Sequence, residues 1–305
     1  MTSSNAASVV EQGLRLSQSC DGELFAIVGP TATGKTALAV ALAERLGGEI
    51  VGADSVQIYR GFDIGSGKPT DQDFERAPHH LVSAIDPLEH VDAAAWAVRA
   101  AEAIAGVRAR GRLPIVCGGT FLWVKALVYG LAGAPAASPH VRERHRHLVD
   151  REGRPALHAL LRGVDAASAA RLHPNDFVRV SRALEVQELT GKPMSAWQNE
   201  HAFREARHQA RLVAIACDPA ALTARIRERV SAWLAAGWIE EVRGLVARGQ
   251  GDARAMGSVG YAQVRAMLDG RLEERALEDA IVRATRVFAR RQRTWLNHAE
   301  VTWLS

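Results

Sequence analysis

Eight consecutive residues, Gly29-Pro30-Thr31-Ala32-Thr33-Gly34-Lys35-Thr36, constrain the fold of this chain more than any others. They match the pattern G-x-x-x-x-G-K-[ST] and lie between a short apolar run, 24–28, and a segment, 35–46, whose apolar residues recur at helical spacing until Gly47 and Gly48 stop it. A glycine-rich loop between a strand and a helix turns backbone N–H groups and the positive helix end toward one point, which suits a phosphate. Lys35 adds a charge, and the Thr36 hydroxyl is placed to hold Mg²⁺. A diphosphate or triphosphate ligand follows, with residues Gly29 to Thr36 as its cradle.

The rest of the chain alternates in the same way. Further strands are predicted at 49–53, ending in Asp54, at 113–117, ending in Gly118-Gly119, at 211–216 and at 301–304. Helices are predicted at 93–110, 220–235, 239–248 and 280–296. This alternation predicts an α/β fold with a P-loop NTPase-like parallel sheet core. Residues 141–190 are instead rich in Arg, His and Leu at helical spacing, with breaks at Gly153, Pro155 and His173-Pro174-Asn175. A mostly helical domain, 136–205, is therefore expected as an insertion between core segments 23–135 and 206–305. Residues 1–22 are polar with no strong periodicity and read as a disordered leader.

Composition narrows the setting. No stretch of about 18 apolar residues appears, and the first residues do not form a secretory signal, so a soluble, cytoplasmic protein without membrane contact is expected. The three cysteines, Cys20, Cys117 and Cys217, lack metal-ligand spacing, which argues against a disulfide framework or zinc site. Net charge is +4, yet Arg greatly outnumbers Lys and the pI is about 9.2, a balance suited to a phosphate-bearing partner. An ATP-driven motor is disfavoured, because no apolar run ending in an acidic pair follows the loop; the first suitably placed acid is Asp54.

Beyond the loop stand Asp54-Ser55-Val56-Gln57-Ile58-Tyr59 and Gly61-Phe62-Asp63-Ile64-Gly65-Ser66-Gly67-Lys68-Pro69. Pro78-His79-His80-Leu81, Gly118-Gly119-Thr120, His173-Pro174-Asn175-Asp176, Arg182-Ala183-Leu184-Glu185, Val259-Gly260-Tyr261 and Arg291-Gln292-Arg293-Thr294-Trp295 follow in order. Together these blocks resemble the tRNA dimethylallyltransferases, over roughly residues 24–304. The resemblance implies that the loop holds the diphosphate of dimethylallyl diphosphate. It also implies that the prenyl group goes to N6 of the adenine just 3′ of the anticodon, in tRNAs reading codons that begin with U. Departures are Gly257-Ser258 where a bulkier pair is expected, Gly67 where a small side chain is usual, and a connector, 200–211, without a proline turn.

The chemistry of such a transfer requires stabilisation of a leaving diphosphate and removal of a proton from an exocyclic nitrogen. Asp54, at the carboxyl end of a strand beside the loop, suits the proton acceptor. It also suits holding a water of Mg²⁺ or capping the next turn. Thr120 suits a contact to Asp54 or the adenine, and also a helix N-cap. By resemblance Arg229, in the run Arg225-Ile226-Arg227-Glu228-Arg229, reaches the donor diphosphate. Asp54, Ser55, Val56 and Gln57 are expected to meet tRNA, and Gln57, just beyond Asp54-Ser55, is placed to read the adenine.

Two cationic surfaces are expected to hold the anticodon stem-loop. Arg283, Arg286, Arg290 and Arg293 recur every three or four residues along the predicted last helix, with Arg291 beside them and Ile281, Phe288 and Trp295 on the other side. The inserted region adds Val178, Arg179, Val180, Ser181 and Arg182, near Arg171 and His173. A monomer is expected, with Mg²⁺ as cofactor. The competing enzyme class is a small-molecule or nucleotide kinase that uses the loop for ATP and Asp54 to activate a hydroxyl; outside enzymology it is an RNA-binding nucleotide switch.

Overall fold

The structure, a computed structural model, describes residues 3–20, 22–297 and 299–305. In chain order its elements are α1 (Ser3–Gln18), β1 (Leu24–Val28), α2 (Lys35–Leu46), β2 (Glu49–Gly52), α3 (Asp71–Arg76), β3 (His79–His80), α4 (Ala93–Ala109), β4 (Pro114–Gly118) and α5 (Phe121–Tyr129). Then come α6 (Pro139–Glu152), α7 (Arg154–Val164), α8 (Ala166–Arg171), α9 (Phe177–Thr190) and α10 (Met194–His201). The last are β5 (Ala210–Ile215), α11 (Pro219–Ala235), α12 (Trp238–Ala247), α13 (Tyr261–Leu268), α14 (Leu277–Leu296) and β6 (Val301–Leu304). The described residues form two compact units, one ending at Val128 and resuming over Arg207–Ser305, the other Tyr129–Ala206.

The first unit is built on a six-stranded parallel sheet in the order β3-β2-β4-β1-β5-β6. A strand that is covered on both faces must be apolar throughout, and every residue of β1, Leu-Phe-Ala-Ile-Val, is buried. Its register sets Val28 beside Gly118 of β4 and Ala26 beside Leu212 of β5. The loops after β1, β2 and β4 therefore emerge side by side at the carboxyl edge, where open α/β sheets bind ligands. The end of β2 is pinned from α4: the fully buried Trp96 donates its indole N–H to Gly52 O at 3.0 Å and stacks on Trp123.

A disordered leader is expected over 1–22; residues 1, 2 and 21 lie outside the described residues, and the segment 3–18 does not match that expectation. Ser3–Gln18 is a helix, and Val9, Gly13 and Ser17, one residue in every four, face inward. Val9 joins the cluster of Leu38, Leu42 and Ala43 on α2, and Gly13 lies against Leu42, close enough that a Cβ there would meet it at 3.1 Å. The inward stripe is made partly of Gly and Ser, so it looks polar in sequence although it packs like a core face.

The second unit is helical. Leu157, Leu161, Val180 and Leu184 of α7 and α9 form its core. Glu185 is fully buried beside that core and accepts hydrogen bonds from Ser138 N, Arg142 and Arg182 at 2.5–3.1 Å. A buried carboxylate is tolerated only with such saturation. Among the described residues no helix is long and apolar enough to cross a membrane.

Candidate active site

The loop after β1 adopts backbone conformations that only its composition permits cheaply. Gly34 has φ 98° and directly precedes α2; Ala32, with φ 63°, is an L-residue in the left-handed region, at a cost of roughly 1–2 kcal/mol. Thr33 donates from its buried hydroxyl to Pro30 O at 3.0 Å, closing the loop on itself. Because Gly34 offers no side chain to cap α2, the first-turn N–H groups of that helix remain available to an anion. Lys35 donates from Nζ to Pro30 O at 2.7 Å. Part of its surface is accessible, yet desolvation of the ammonium pushes its pKa down to about 8; Cys117 and Asp54 oppose that shift and Arg229 adds to it.

A cavity of about 480 Å³ opens on this loop, and its walls bring together Lys35, Thr36, Asp54, Arg225, Arg229 and Trp233. Asp54 is half-buried. Its Oδ1 accepts from Val56 N at 2.9 Å and Gln57 N at 3.2 Å, so the carboxylate caps its own turn through one oxygen while Oδ2 has no partner among the described residues. The turn-capping role and an acid–base role thus use different oxygens. Thr120 does not bond to Asp54; its hydroxyl accepts from Ser55 N at 3.0 Å, and its own N–H donates to Ala53 O at 3.1 Å. It braces the Asp54 turn through the neighbouring residue. Gly118 makes this approach possible, because a Cβ there would sit 2.1 Å from Ala53 O.

Arg229 enters from α11. Its Nη2 donates to Thr31 Oγ1 at 2.6 Å and its guanidinium stacks 4.4 Å from the Trp233 ring centre, while its buried Nε has no partner. Burial lowers its pKa to about 10, partly offset by Asp54, so it stays charged at neutral pH. The three arginines of this run separate in space. Arg227 pairs with Asp279 at 2.9 Å on the surface, whereas Arg225 lines the cavity and was not singled out in the sequence. Lys68 also faces the cavity, anchored to Tyr59 O and Asp63 at 2.5 and 2.6 Å.

The side-chain amide nitrogen of Gln57, the residue expected to read the adenine, is held by the backbone. Both donations go to backbone, to Ser66 O at 3.0 Å and Gly67 O at 2.8 Å, and its carbonyl oxygen alone remains open. The loop so held rests on α11 to α13: the Glu241 carboxylate accepts from Asp63 N at 3.0 Å, Ile64 N at 2.6 Å and Tyr261 OH at 2.6 Å. Trp238 packs so closely that a Cβ on Gly65 would meet its indole nitrogen at 1.9 Å. Next to that carboxylate the Tyr261 phenol is pushed strongly upward, by burial first and by Glu241 second.

On α14, Arg283, Arg286, Arg290, Arg291 and Arg293 are exposed and make no ion pair or side-chain hydrogen bond among the described residues. Four of them border a separate cavity of about 1050 Å³ whose floor includes Ile215 and Leu222. The cavity is larger; its carboxylate, Asp218, caps α11 through Oδ2 at 2.9 and 3.0 Å, whereas Lys35, Thr36, Asp54 and Arg229 line the smaller one. The apolar partner stripe differs from the expected one: Ile281 is buried, but Phe288 and Trp295 are 40% and 52% exposed. The buried face runs instead through Thr285, Ala289, Gln292 and Leu296. That leaves two aromatic rings among unpaired arginines, a surface suited to bases and phosphates.

In the helical unit the expected contact residues divide. Val178 is exposed and Arg179 is an exposed cation held to Asp176 at 2.5 Å. Val180 and Ser181 are buried, and Arg182 is spent on Glu185 and on Pro135 O at 2.6 Å. Those three belong to the inward face of α9, which the sequence run alone does not reveal.

The IPP transferase profile matches residues 57–299, and the isopentenyl transferase profile matches residues 22–82. A tRNA dimethylallyltransferase of Sorangium cellulosum is 62% identical, over 93% of this chain and 90% of its own length. One of Anaeromyxobacter dehalogenans is 50% identical, over 92% and 94%. Among solved structures, the tRNA isopentenylpyrophosphate transferase of Bacillus halodurans superposes with a TM-score of 0.68 at 35% identity, covering 93% of this chain and 89% of that one. A eukaryotic dimethylallyltransferase acting on tRNA gives 0.68 at 26% identity, over 90% and 69%. The match along most of the chain, together with relatives of such identity, establishes that this chain belongs to the IPP transferase family.

Proposed function

We propose that the protein transfers a dimethylallyl group from dimethylallyl diphosphate to N6 of the adenine just 3′ of the anticodon, in tRNAs reading codons that begin with U. The observation that carries this reading is the convergence of Asp54, Lys35, Thr36 and Arg229 on one cavity. Its anion end suits a diphosphate, and its carboxylate end suits a proton acceptor. The donor diphosphate lies against the open N–H groups of α2, with Lys35 and the unpartnered Nε of Arg229 offsetting its charge.

The C1–O bond of the donor breaks as the C1–N6 bond forms, and diphosphate leaves. The proton on N6 passes to Asp54 Oδ2, the oxygen not used in the turn. Thr120 holds that turn through Ser55. The Thr36 hydroxyl, at the start of α2 and without a partner among the described residues, would hold Mg²⁺. Bound there, Mg²⁺ would supply charge neutralisation on the diphosphate. The unpaired arginines of α14 bind the RNA backbone, and Arg179 adds to this from the helical unit. The protein acts as a cytoplasmic monomer.

The test is incubation of the protein with Mg²⁺, dimethylallyl diphosphate and unmodified tRNA, followed by nucleoside mass analysis. Adenosine carrying one added C5 unit is expected, and its formation should be lost in Asp54→Asn. No such product, with ATP consumed in the presence of a small hydroxyl compound, would overturn the reading in favour of a kinase.

A further inference from the structure

Gln292 is the one polar side chain on the buried face of α14 whose two ends both reach site loops. It is 8% exposed. Its carbonyl oxygen accepts from Thr31 N at 2.9 Å, in the phosphate loop after β1. Its amide nitrogen donates to Gly119 O at 2.9 Å, in the turn after β4. These two loops leave neighbouring strands, since Val28 pairs with Gly118. The fit leaves no slack: a Cβ on Gly119 would lie 2.4 Å from the Gln292 amide nitrogen.

What lies beyond each end matters. Thr31 presents its hydroxyl to Arg229 at 2.6 Å, on the side of the leaving diphosphate. Gly119 is followed by Thr120, whose hydroxyl holds Ser55 N at 3.0 Å beside Asp54, on the side of the acceptor base. One side chain thus sets the separation of the donor cradle from the proton acceptor. Arg290, Arg291 and Arg293, which flank Gln292 in sequence, are exposed and have no side-chain partner among the described residues, so the helix that carries this cationic surface is tied to both loops inside.

We propose that Gln292 is a positioning residue that fixes the spacing between the diphosphate-binding loop and the Gly119–Thr120 turn, and so aligns donor carbon and acceptor nitrogen. The proposal rests on the transfer reaction proposed above. A displacement of the loops by a fraction of an ångström changes the approach of the two reacting atoms more than it changes RNA binding, which depends on the arginines.

The test uses the full chain with Gln292→Leu, which keeps the volume and removes both bonds, and Gln292→Asn, which keeps the amide on a stem too short to bridge. The readouts are kcat, KM for each substrate, the Kd of inorganic diphosphate with Mg²⁺ by calorimetry, and Tm. Both variants are expected to lower kcat about 10- to 100-fold and to weaken diphosphate about tenfold, with KM for tRNA within about threefold of the parent. Unchanged kcat and diphosphate Kd with a lowered Tm would reduce Gln292 to a packing residue. A rise confined to KM for tRNA would make it an RNA contact, and either result overturns the proposal. If Gln292→Leu does not fold, Gln292→Met carries the same measurements. Should the parent protein transfer no prenyl group, the function fails, while the diphosphate Kd still decides the positioning role.

Discussion

Arg229 and Thr31 are joined by a 2.6 Å hydrogen bond from Nη2 to Oγ1, and this bond leaves the buried Nε of Arg229 without a partner. A desolvated cation with an unused donor is costly in the free protein, and an anion arriving beside it recovers that cost. The stack on Trp233 fixes the plane of the guanidinium, so the donor is aimed before the ligand arrives.

Replacing Arg229 by Gln is therefore expected to lower kcat by about 10²–10³ while leaving Tm equal or raised in the absence of ligand. Arg229→Lys should not rescue the rate, because an ammonium has neither the planar fork nor the stack. Steady-state kinetics and thermal unfolding of the two variants check both statements.

Lys35 gives a pH signature of known sign. Burial lowers its pKa from 10.5 to about 8, so between those values the folded protein holds fewer protons here than the unfolded chain does. The contribution to stability is unfavourable below about pH 8 and is relieved as pH rises from about 8 toward 10.5. Lys35→Met should flatten the corresponding part of the stability curve measured by urea unfolding. Diphosphate binding runs the other way: it needs the ammonium, so the affinity advantage of the parent over Lys35→Met should shrink above about pH 8.

Glu241 holds three backbone N–H groups of the loop, those of Asp63, Ile64 and Gly65, and the Tyr261 hydroxyl. Glu241→Ala leaves those donors without their acceptor and is expected to cost about 2–4 kcal/mol of stability. Tyr261→Phe should cost about 1–2 kcal/mol, and the double variant less than the sum, because both act on one network. Gly65→Ala, which would drive a methyl into Trp238, should cost at least about 1–3 kcal/mol. Denaturant titration reads all four.

The unpaired arginines of α14 make a separable prediction. Neutralising any one of Arg283, Arg286, Arg290 or Arg293 should weaken tRNA and reduce the slope of log K against log salt by about 1, as for a single lost phosphate contact. The Kd of inorganic diphosphate should not move. Arg182→Ala, by contrast, removes a partner of the buried Glu185 and should appear as a loss of stability before any loss of RNA affinity.

Local chemistry made much of this protein legible from its residues alone. The loop from Gly29 to Thr36 admits few conformations and one kind of ligand, so strand, cradle and helix could be placed together; β1, α2 and β6 fall at the predicted residues. The alternation of strands with helices predicted the parallel sheet, and Asp54, at a strand end, lines the cavity beside the loop. Other features have no local signature. Helix α1 docks through Gly13 and Ser17, small residues whose burial depends on what α2 presents to them. Which arginine of 225, 227 and 229 turns inward depends on the packing of α11, and whether Arg182 is free depends on Glu185. Gln292 joins Thr31 to Gly119 across 261 and 173 residues of sequence. Sequence determines the residue types and the local turns that suit this chemistry; the spacing between groups from separate strands and helices exists only once the sheet and α14 have packed.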